Sequence, residues 1–182
     1  DRKFLSSAPS RFLKSGQEDL LYLILPAGED LKLRLEGVYA DGASISNALP
    51  SVYLYARKLY EINAGKAIAS QVQNKSFQYI DVWMEDIYGD PHTEVRRYYG
   101  DPRIAEDKML LMYLNSFGVW ELLYLYGAFD QSTKTKSESA MYENRTEIHK
   151  RQWSELYSCS MDFKSPQEVQ HLRELLRSTK VY

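Results

Sequence analysis

The chain lacks most of the features that identify a chemistry from sequence. It has a single cysteine, Cys159, among 182 residues, so neither an internal disulfide nor a cysteine-based zinc site can form. Its net charge is only −2, which leaves no basic footprint for a phosphate backbone or an anionic bilayer. Its longest apolar stretch, around 20–26, is far shorter than the roughly 20 residues of a membrane helix. We therefore expect neither nucleic acid nor a membrane as the main partner.

The sequence also lacks the patterns of nucleophilic and nucleotide-dependent enzymes. A nucleophilic site needs a serine or cysteine near a histidine and an orienting acid, yet His92, His149 and His171 stand beside no Gly-x-Ser-x-Gly elbow. The nine glycines occur singly, so no glycine-rich phosphate loop is present. We predict no catalytic residue, no cofactor and no enzyme activity, and we interpret His171 as an exposed histidine of a helix.

Patterns for metal binding are equally sparse. The sequence contains no His-x-x-x-His or Cys-x-x-Cys pair of the kind that binds zinc. The densest acidic group, Glu85 and Asp86 with Asp90, offers oxygen ligands for calcium but lacks the alternating Asp-x-Asp-x-Asp-Gly order of a calcium loop. We favour a solvated loop at a strand end and predict no metal site.

Aromatic residues, in contrast, are plentiful. They make up 13% of the chain, with 15 tyrosines against 6 phenylalanines, and tyrosine favours half-buried pleated surfaces and recognition faces. Two tyrosine-rich stretches contain Tyr53, Tyr55 and Tyr60, and Tyr124 and Tyr126. Their spacing fits cross-strand packing inside a sandwich or a platform for stacking sugars. We favour packing.

Turn residues recur at short intervals, a pattern typical of an all-β sandwich. Leu31, Leu33 and Leu35 alternate with charged residues, which predicts a strand with one buried face. The dipeptide Asp-Gly at 41–42 then predicts a type I′ hairpin turn. The segment 52–62 fits either a helix of three turns or a strand, and we favour the strand.

Further strands are predicted along the chain. Residues 77–84 have apolar side chains on both faces, as in a central strand. Residues 109–114 and 119–126 predict a hairpin around the turn 115–118, which reads Asn-Ser-Phe-Gly. The polar segment 130–151 predicts either a long exposed loop or a twisted, solvated ribbon.

The clearest helix signal lies near the end of the chain. Residues 165–168 read Ser-Pro-Gln-Glu, which combines an N-cap serine, a proline at the first helical position and a capping-box glutamate. Leu172, Leu175 and Leu176 then lie on one stripe. We predict a helix over 165–178 whose leucines close one end of a sandwich.

These elements predict a mainly β protein made of two small antiparallel β-sandwich (Ig-like) units with one C-terminal α-helix. The Gly-Asp-Pro turn at 100–102 separates an N-terminal domain, 1–103, from a C-terminal domain, 104–182. The final Val181 and Tyr182 look like the beginning of another strand, so we expect the natural protein to continue.

Three stretches, in this order, resemble a family of proteins encoded by phages and prophages of Bacteroidetes. The first runs from Phe12 to Val38 and continues into the Tyr-Ala-Asp-Gly hairpin at 39–42. The second is LLMYLNSFGVWE at 110–121, and the third, at 168–182, contains LRELLRS and the final Val-Tyr. The chain departs from the family where Glu121-Leu122 replaces the usual Asp-Thr.

The resemblance implies a tail-associated virion protein of gut Bacteroidetes, a non-enzymatic structural or assembly module located in the phage-like particle. It implies no catalytic residue and no cofactor, and it assigns no binding residues. Other virion or surface proteins, or further copies of the chain, would be its partners. A carbohydrate-binding or cell-surface interaction module is the alternative, based on the tyrosine-rich strands.

Overall fold

Strands dominate the structure, a computed structural model that describes residues 3–6, 10–14, 16–73, 75–102, 108–142, 145–160 and 166–182. The predicted mainly β class is confirmed. In chain order the elements are β1 (Ser10–Leu13), β2 (Leu20–Ile24), β3 (Glu29–Tyr39), β4 (Ser44–Ala48), β5 (Val52–Leu54), β6 (Leu59–Asn63), α1 (Ala64–Val72), β7 (Phe77–Asp86), β8 (Arg96–Gly100), β9 (Lys108–Leu114), β10 (Trp120–Tyr126), β11 (Ala128–Tyr142), β12 (Arg145–Ser160) and α2 (Pro166–Arg177).

The largest sheet has six strands in the order β1-β8-β7-β3-β4, and β5 also pairs with β3. Three further pairs are β2 with β6, β9 with β10, and β11 with β12. The strand predicted at 77–84 lies between β3 and β8, as expected for a central strand. One pairing differs from the predicted antiparallel order, because β1 runs parallel to β8, with Ser10 opposite Arg97. The long chain between these two strands makes a parallel pairing accessible.

The core lies on one face of this sheet. Leu31, Leu33 and Leu35 are buried, which confirms the predicted inner face of β3. In the neighbouring strand, Val82 stands opposite Leu35 and Met84 opposite Leu33. Leucines of β2 and the apolar face of α1 belong to the same core cluster, so β2 and α1 cover the apolar face of the large sheet.

The hairpin at 41–42 forms, but its turn type differs from the prediction. A type I′ turn needs positive φ at both central residues, whereas only Gly42, with φ +91°, has it. The Gly42 N–H donates to the Tyr39 carbonyl over 3.0 Å, and the Tyr39 N–H donates to the Ala43 carbonyl over 2.8 Å. This is a three-residue hairpin loop with glycine in the left-handed position, which also matches the strand twist.

The segment 52–62 is strand, as predicted, but it forms two strands, β5 and β6, around a turn at Arg57. A helix that the sequence analysis missed, α1, follows directly. Asn63 caps it, because its side-chain oxygen accepts the Lys66 N–H over 2.9 Å, and Gln73 ends it in the left-handed conformation. The described part of the chain therefore has two helices where one was predicted.

The hairpin of 109–126 is confirmed as β9 and β10, and its Asn-Ser-Phe-Gly turn has Gly118 at φ +79°. For the polar segment 130–151 the ribbon is the correct alternative. β11 and β12 pair antiparallel from Ala128 opposite Ser160 to Tyr142 opposite Arg145. We call this pair of strands the ribbon.

The predicted terminal helix forms as α2, and its proposed cap, Ser165, lies outside the described residues. Leu172 and Leu175 are half-buried, but Leu176 is 82% exposed. The prediction that Leu176 helps to close the core is therefore wrong, because the helix turns its His171 side inward instead. Neither described helix is long and apolar enough to cross a membrane.

The chain divides into two compact units. Unit 1 comprises Asp1–Ile104, Leu110–Tyr124 and Phe163–Tyr182, and unit 2 comprises Ala105–Met109 and Leu125–Asp162. Unit 1 thus draws on both predicted domains, while unit 2 contains the ribbon. The predicted boundary after residue 103 falls in a segment outside the described residues, and the division into two sandwiches stays a prediction.

Replacing a core leucine should cost far more stability than replacing the exposed helical one. We expect Leu35→Ala to lower the free energy of unfolding by about 2–5 kcal/mol, the range for a fully buried leucine. Leu176→Ala is the matched control and should change it by less than about 0.5 kcal/mol. Urea denaturation of both variants measures the difference, and equal losses would contradict the described packing of α2.

Candidate functional site

Seven polar side chains meet inside unit 1, and all are at least nine-tenths buried. They come from β1, the segment before β2, β8, β9, the turn after β9, β10 and α2. We call them the polar cluster: Arg11, Asp19, Tyr98, Tyr113, Asn115, Glu121 and His171. Burying charged groups is costly unless they are paired and hydrogen-bonded, so the contacts of each group decide what the cluster does.

Arg11 is the centre of the polar cluster. Its Nη1 forms a salt bridge with Asp19 Oδ1, and its Nη2 lies 2.6 Å from Glu121 Oε2. Guanidinium nitrogens in a rigid fork suit two carboxylates at once. One arginine therefore ties the segment before β2 to β10.

The backbone of α1 holds Asp19 in place. The Ala64 N–H donates to the Asp19 carbonyl over 2.8 Å, and the Tyr98 hydroxyl donates to Asp19 Oδ2 over 2.7 Å. Gly65 is required at this contact, since a Cβ there would lie 2.1 Å from the Gln17 carbonyl oxygen. The start of the helix therefore fixes the backbone of Asp19, and Tyr98 orients its carboxylate.

Glu121 is fully enclosed, with 0% of its surface exposed. The Tyr113 hydroxyl donates to its Oε2 over 2.9 Å, and Asn115 Nδ2 donates to its Oε1 over 2.5 Å. The Oδ1 of Asn115 accepts the backbone N–H of Phe117 at 2.9 Å and of Val119 at 3.2 Å. The turn between β9 and β10 is thus built around the partner of Glu121.

His171 completes the polar cluster, which corrects its interpretation as an exposed histidine. Its Nε2 lies 3.3 Å from Glu121 Oε2, and its ring packs edge-on against Tyr113 with centroids 6.4 Å apart. In the sequence His171 falls on the side of Glu168 and Arg173 of a short helix, where exposure is usual. The buried carboxylate on another strand, invisible in the local pattern, turns this side of α2 inward.

The electrostatics of the polar cluster favour a charged Glu121 and a neutral His171. Burial alone raises the pKa of Glu121, but the charge of Arg11 and the neighbouring His171 and Asn115 outweigh it and hold that pKa well below its usual range. Burial, followed by the charge of Arg11, lowers the pKa of His171. Burial and Asp19 raise the pKa of Tyr98 well above 10, so its hydroxyl remains a donor.

A second arginine, Arg96 of β8, is also buried next to the polar cluster. Its Nη2 lies 3.4 Å from Glu94 Oε1, and burial followed by the charge of Arg11 lowers its pKa. Its Nε and Nη1 make no hydrogen bond in the described part of the chain. With Arg11 and Arg96 positive and Asp19 and Glu121 negative, a neutral His171 leaves these side chains in charge balance.

The acidic group considered for calcium has structural partners. Asp86 Oδ1 accepts the backbone N–H of Tyr88 at 2.8 Å and of Asp90 at 2.9 Å, and hydrogen bonding from Asp90 lowers its pKa. Glu85 pairs with Lys32 at 3.2 Å. Among the described residues no three histidine, cysteine or acidic side chains are grouped to hold a metal ion.

The tyrosines behave in two ways. Tyr60 and Tyr124 are half-buried, Tyr126 is buried, and the Tyr60 hydroxyl accepts the Tyr55 N–H over 2.6 Å. The prediction of packing inside a sandwich is wrong for Tyr53 and Tyr55, which are 50% and 59% exposed. Their two rings contact each other edge to face, with centroids 5.1 Å apart. Tyr53 lies in β5 and Tyr55 follows it, and among the described residues this short strand pairs with β3 alone.

An apolar groove of about 430 Å³ opens in unit 1. Leu31 and Leu33 of β3, Leu54 of β5, and Tyr60 and Ile62 of β6 form part of its lining. β5, a strand of three residues, contributes Val52 and Leu54 to this lining.

The ribbon of unit 2 is the most exposed part of the described chain. Its side chains from Gln131 to Ser139 are all exposed, and so are those from Arg151 to Leu156. Trp153 is 69% exposed and Leu156 49%. A tryptophan this exposed on a strand is unusual for a face that stays in water.

Removing the charge of Glu121 should destabilise unit 1 strongly. Glu121→Gln keeps the shape but leaves Arg11 without one of its two carboxylates, so we expect a loss of about 3–5 kcal/mol in the free energy of unfolding. Glu36→Gln is the control, because Glu36 pairs with Arg34 at the surface and such pairs contribute about 0–1 kcal/mol. Urea titration at pH 7 compares them, and similar losses would contradict the central role of Arg11.

Stability should fall on acidification through His171. The pKa of His171 is lowered in the folded chain. Near pH 6.5 the unfolded chain therefore binds a proton at this histidine, while the folded chain does not. This contribution is present above pH 6.5 and is lost as the pH falls below it. We expect the urea midpoint to drop between pH 7.5 and 5.5 in the natural chain and to drop less in His171→Gln. An unchanged pH dependence in the variant would show that His171 does not titrate in this way.

Comparison with protein-family models, curated proteins and solved structures gives no match to this chain. The proposed function is therefore based on the sequence resemblance and on the residues described above.

Proposed function

We propose that the chain is a non-enzymatic structural module of a phage or prophage particle and that the ribbon is its assembly arm. The observation that carries this proposal is the exposed ribbon. Its strands have 15 and 16 residues, which at about 3.3 Å per residue makes an arm about 50 Å long. The three stretches that resemble virion proteins, found in the same order, support a location in the particle. The length of the ribbon supports a role in assembly.

A ribbon of two strands needs contacts with other groups to be stable. Isolated two-stranded sheets are marginally stable in water, and a free edge offers a row of unpaired N–H and C=O groups. Among the described residues neither β11 nor β12 pairs with a third strand. A partner that covers Trp153 and pairs with an edge would remove both costs.

The polar cluster supports a structural role for unit 1. Strongly perturbed titratable groups are candidates for catalysis when they face a cleft. Here Glu121, whose pKa is held well below its usual range, is 0% exposed, and its oxygens are occupied by Arg11, Tyr113 and Asn115. The neighbouring Asp19 is 2% exposed and is bound by Arg11 and Tyr98. These carboxylates lock strands and helix together and present no surface to a substrate.

The proposal is tested in particles induced from the strain that encodes the chain. We expect the natural chain to sediment with the particles and to be detected there by mass spectrometry. A variant in which residues 132–156 are replaced by Asn-Gly should keep the far-UV circular dichroism and urea midpoint of unit 1 but leave the particle fraction. Sedimentation of the variant at the natural level would exclude the ribbon as the assembly arm. Absence of the natural chain from the particles would exclude a location in the particle.

The exposure of Tyr53 and Tyr55 favours a glycan-binding module as the second candidate. Their edge-to-face arrangement presents a single ring face, and Lys58 Nζ lies 4.7 Å from the Tyr55 centroid, so the platform is small. We expect a glycan array to show no binding at millimolar affinity. Binding that Tyr55→Ala removes, with Tyr88→Ala as an exposed control, would favour this candidate over the assembly module.

A further inference from the structure

We propose that the ribbon pairs with the ribbon of a second copy of this chain, β12 against β12 in antiparallel orientation, centred on Trp153. This inference rests on the proposed function of the ribbon as an assembly arm and names the partner. It follows from the order of three side chains along β12 and from the symmetry of an antiparallel pair.

Arg151, Trp153 and Glu155 lie on one face of β12, since alternate residues of a strand share a face. All three are exposed. On the same face of β11 they stand opposite residues with short side chains, with Thr135 opposite Trp153 and Ser137 opposite Arg151. Between positions 151 and 155 of β12, the large side chains of this face are therefore Arg151, Trp153 and Glu155 themselves.

The order Arg-x-Trp-x-Glu is self-complementary in one orientation. When two copies of a strand pair antiparallel about a two-fold axis at Trp153, position 153 − n of one copy faces position 153 + n of the other. Arg151 then faces Glu155 of the second copy, Glu155 faces its Arg151, and the two Trp153 rings meet between the ion pairs. Opposite charges and aromatic pairs directly across strands are stabilising.

Other pairings of the ribbon fit less well. A parallel, in-register pair of β12 strands would set Arg151 against Arg151 and Glu155 against Glu155. An antiparallel pair of β11 strands centred on Thr135 would set Lys134 against Lys136, and like charges directly opposite are destabilising. On the second face of the proposed β12 pair, Gln152 meets Ser154, which is a neutral hydrogen-bonding combination.

The symmetry of the pair also limits what it builds. A two-fold interface uses the same surface on both copies and closes after two, whereas a head-to-tail contact continues into a filament. We therefore expect dimers, with the two ribbons joined edge to edge into a four-stranded sheet.

Charge reversal in the full chain tests the proposal by analytical ultracentrifugation. We expect the natural chain to show a concentration-dependent dimer. Arg151→Glu alone and Glu155→Arg alone should each raise the dissociation constant at least tenfold, because each puts two like-charged pairs across the axis. An equimolar mixture of the two variants should restore the dimer, since every pair across the axis is then opposite in charge. Arg173→Glu, on the exposed side of α2, is the control and should leave the dissociation constant unchanged.

The outcomes separate this inference from the proposed function. A natural chain that is monomeric at all concentrations, or a dimer that Arg151→Glu does not weaken, overturns the β12 pairing. Larger, open-ended assemblies overturn the two-fold arrangement. In each case sedimentation of the ribbon-replaced variant with particles still decides independently whether the ribbon is an assembly arm. Matching urea midpoints of the charge variants and the natural chain exclude misfolding as the cause.

Discussion

The bridge that Arg11 makes between Asp19 and Glu121 is the interaction on which unit 1 depends. A buried arginine is tolerated only when its charge is met by carboxylates that are themselves hydrogen-bonded. Each of those two residues connects another part of the structure: the main-chain carbonyl of Asp19 accepts the Ala64 N–H at the start of α1, and the Glu121 carboxylate contacts the β9–β10 turn and His171 of α2. The main sheet, the described helices and the β9–β10 hairpin are thus linked to one guanidinium group through Asp19 and Glu121.

Much of the fold could be predicted from local patterns. The period of two in β3 and the apolar faces of β7 appear directly in the sequence, because burial repeats with the geometry of the strand. Helix α1 also left a signal that was missed: Asn63 as a cap, followed by Ala64, Ala67, Ile68 and Val72 at helical spacing. Its nine residues are too short for that signal to outweigh the neighbouring strands.

The polar cluster could not be predicted in the same way. Arg11, Glu121 and His171 are each surrounded by ordinary sequence, and what makes them exceptional is that distant segments meet. Periodicity reports which face of an element is apolar, and on α2 it indicated the face of Leu176, while the helix turned toward a carboxylate on β10.

The division of unit 1 into three stretches of chain has a consequence for how the protein is made. Arg11 leaves the ribosome long before Glu121, 110 positions later, and longer still before His171. The two strands of the ribbon lie next to each other in sequence and are complete before α2 has been synthesised. Because nearby segments pair faster than distant ones, we expect the two strands of the ribbon to pair before the charged interior of unit 1 closes.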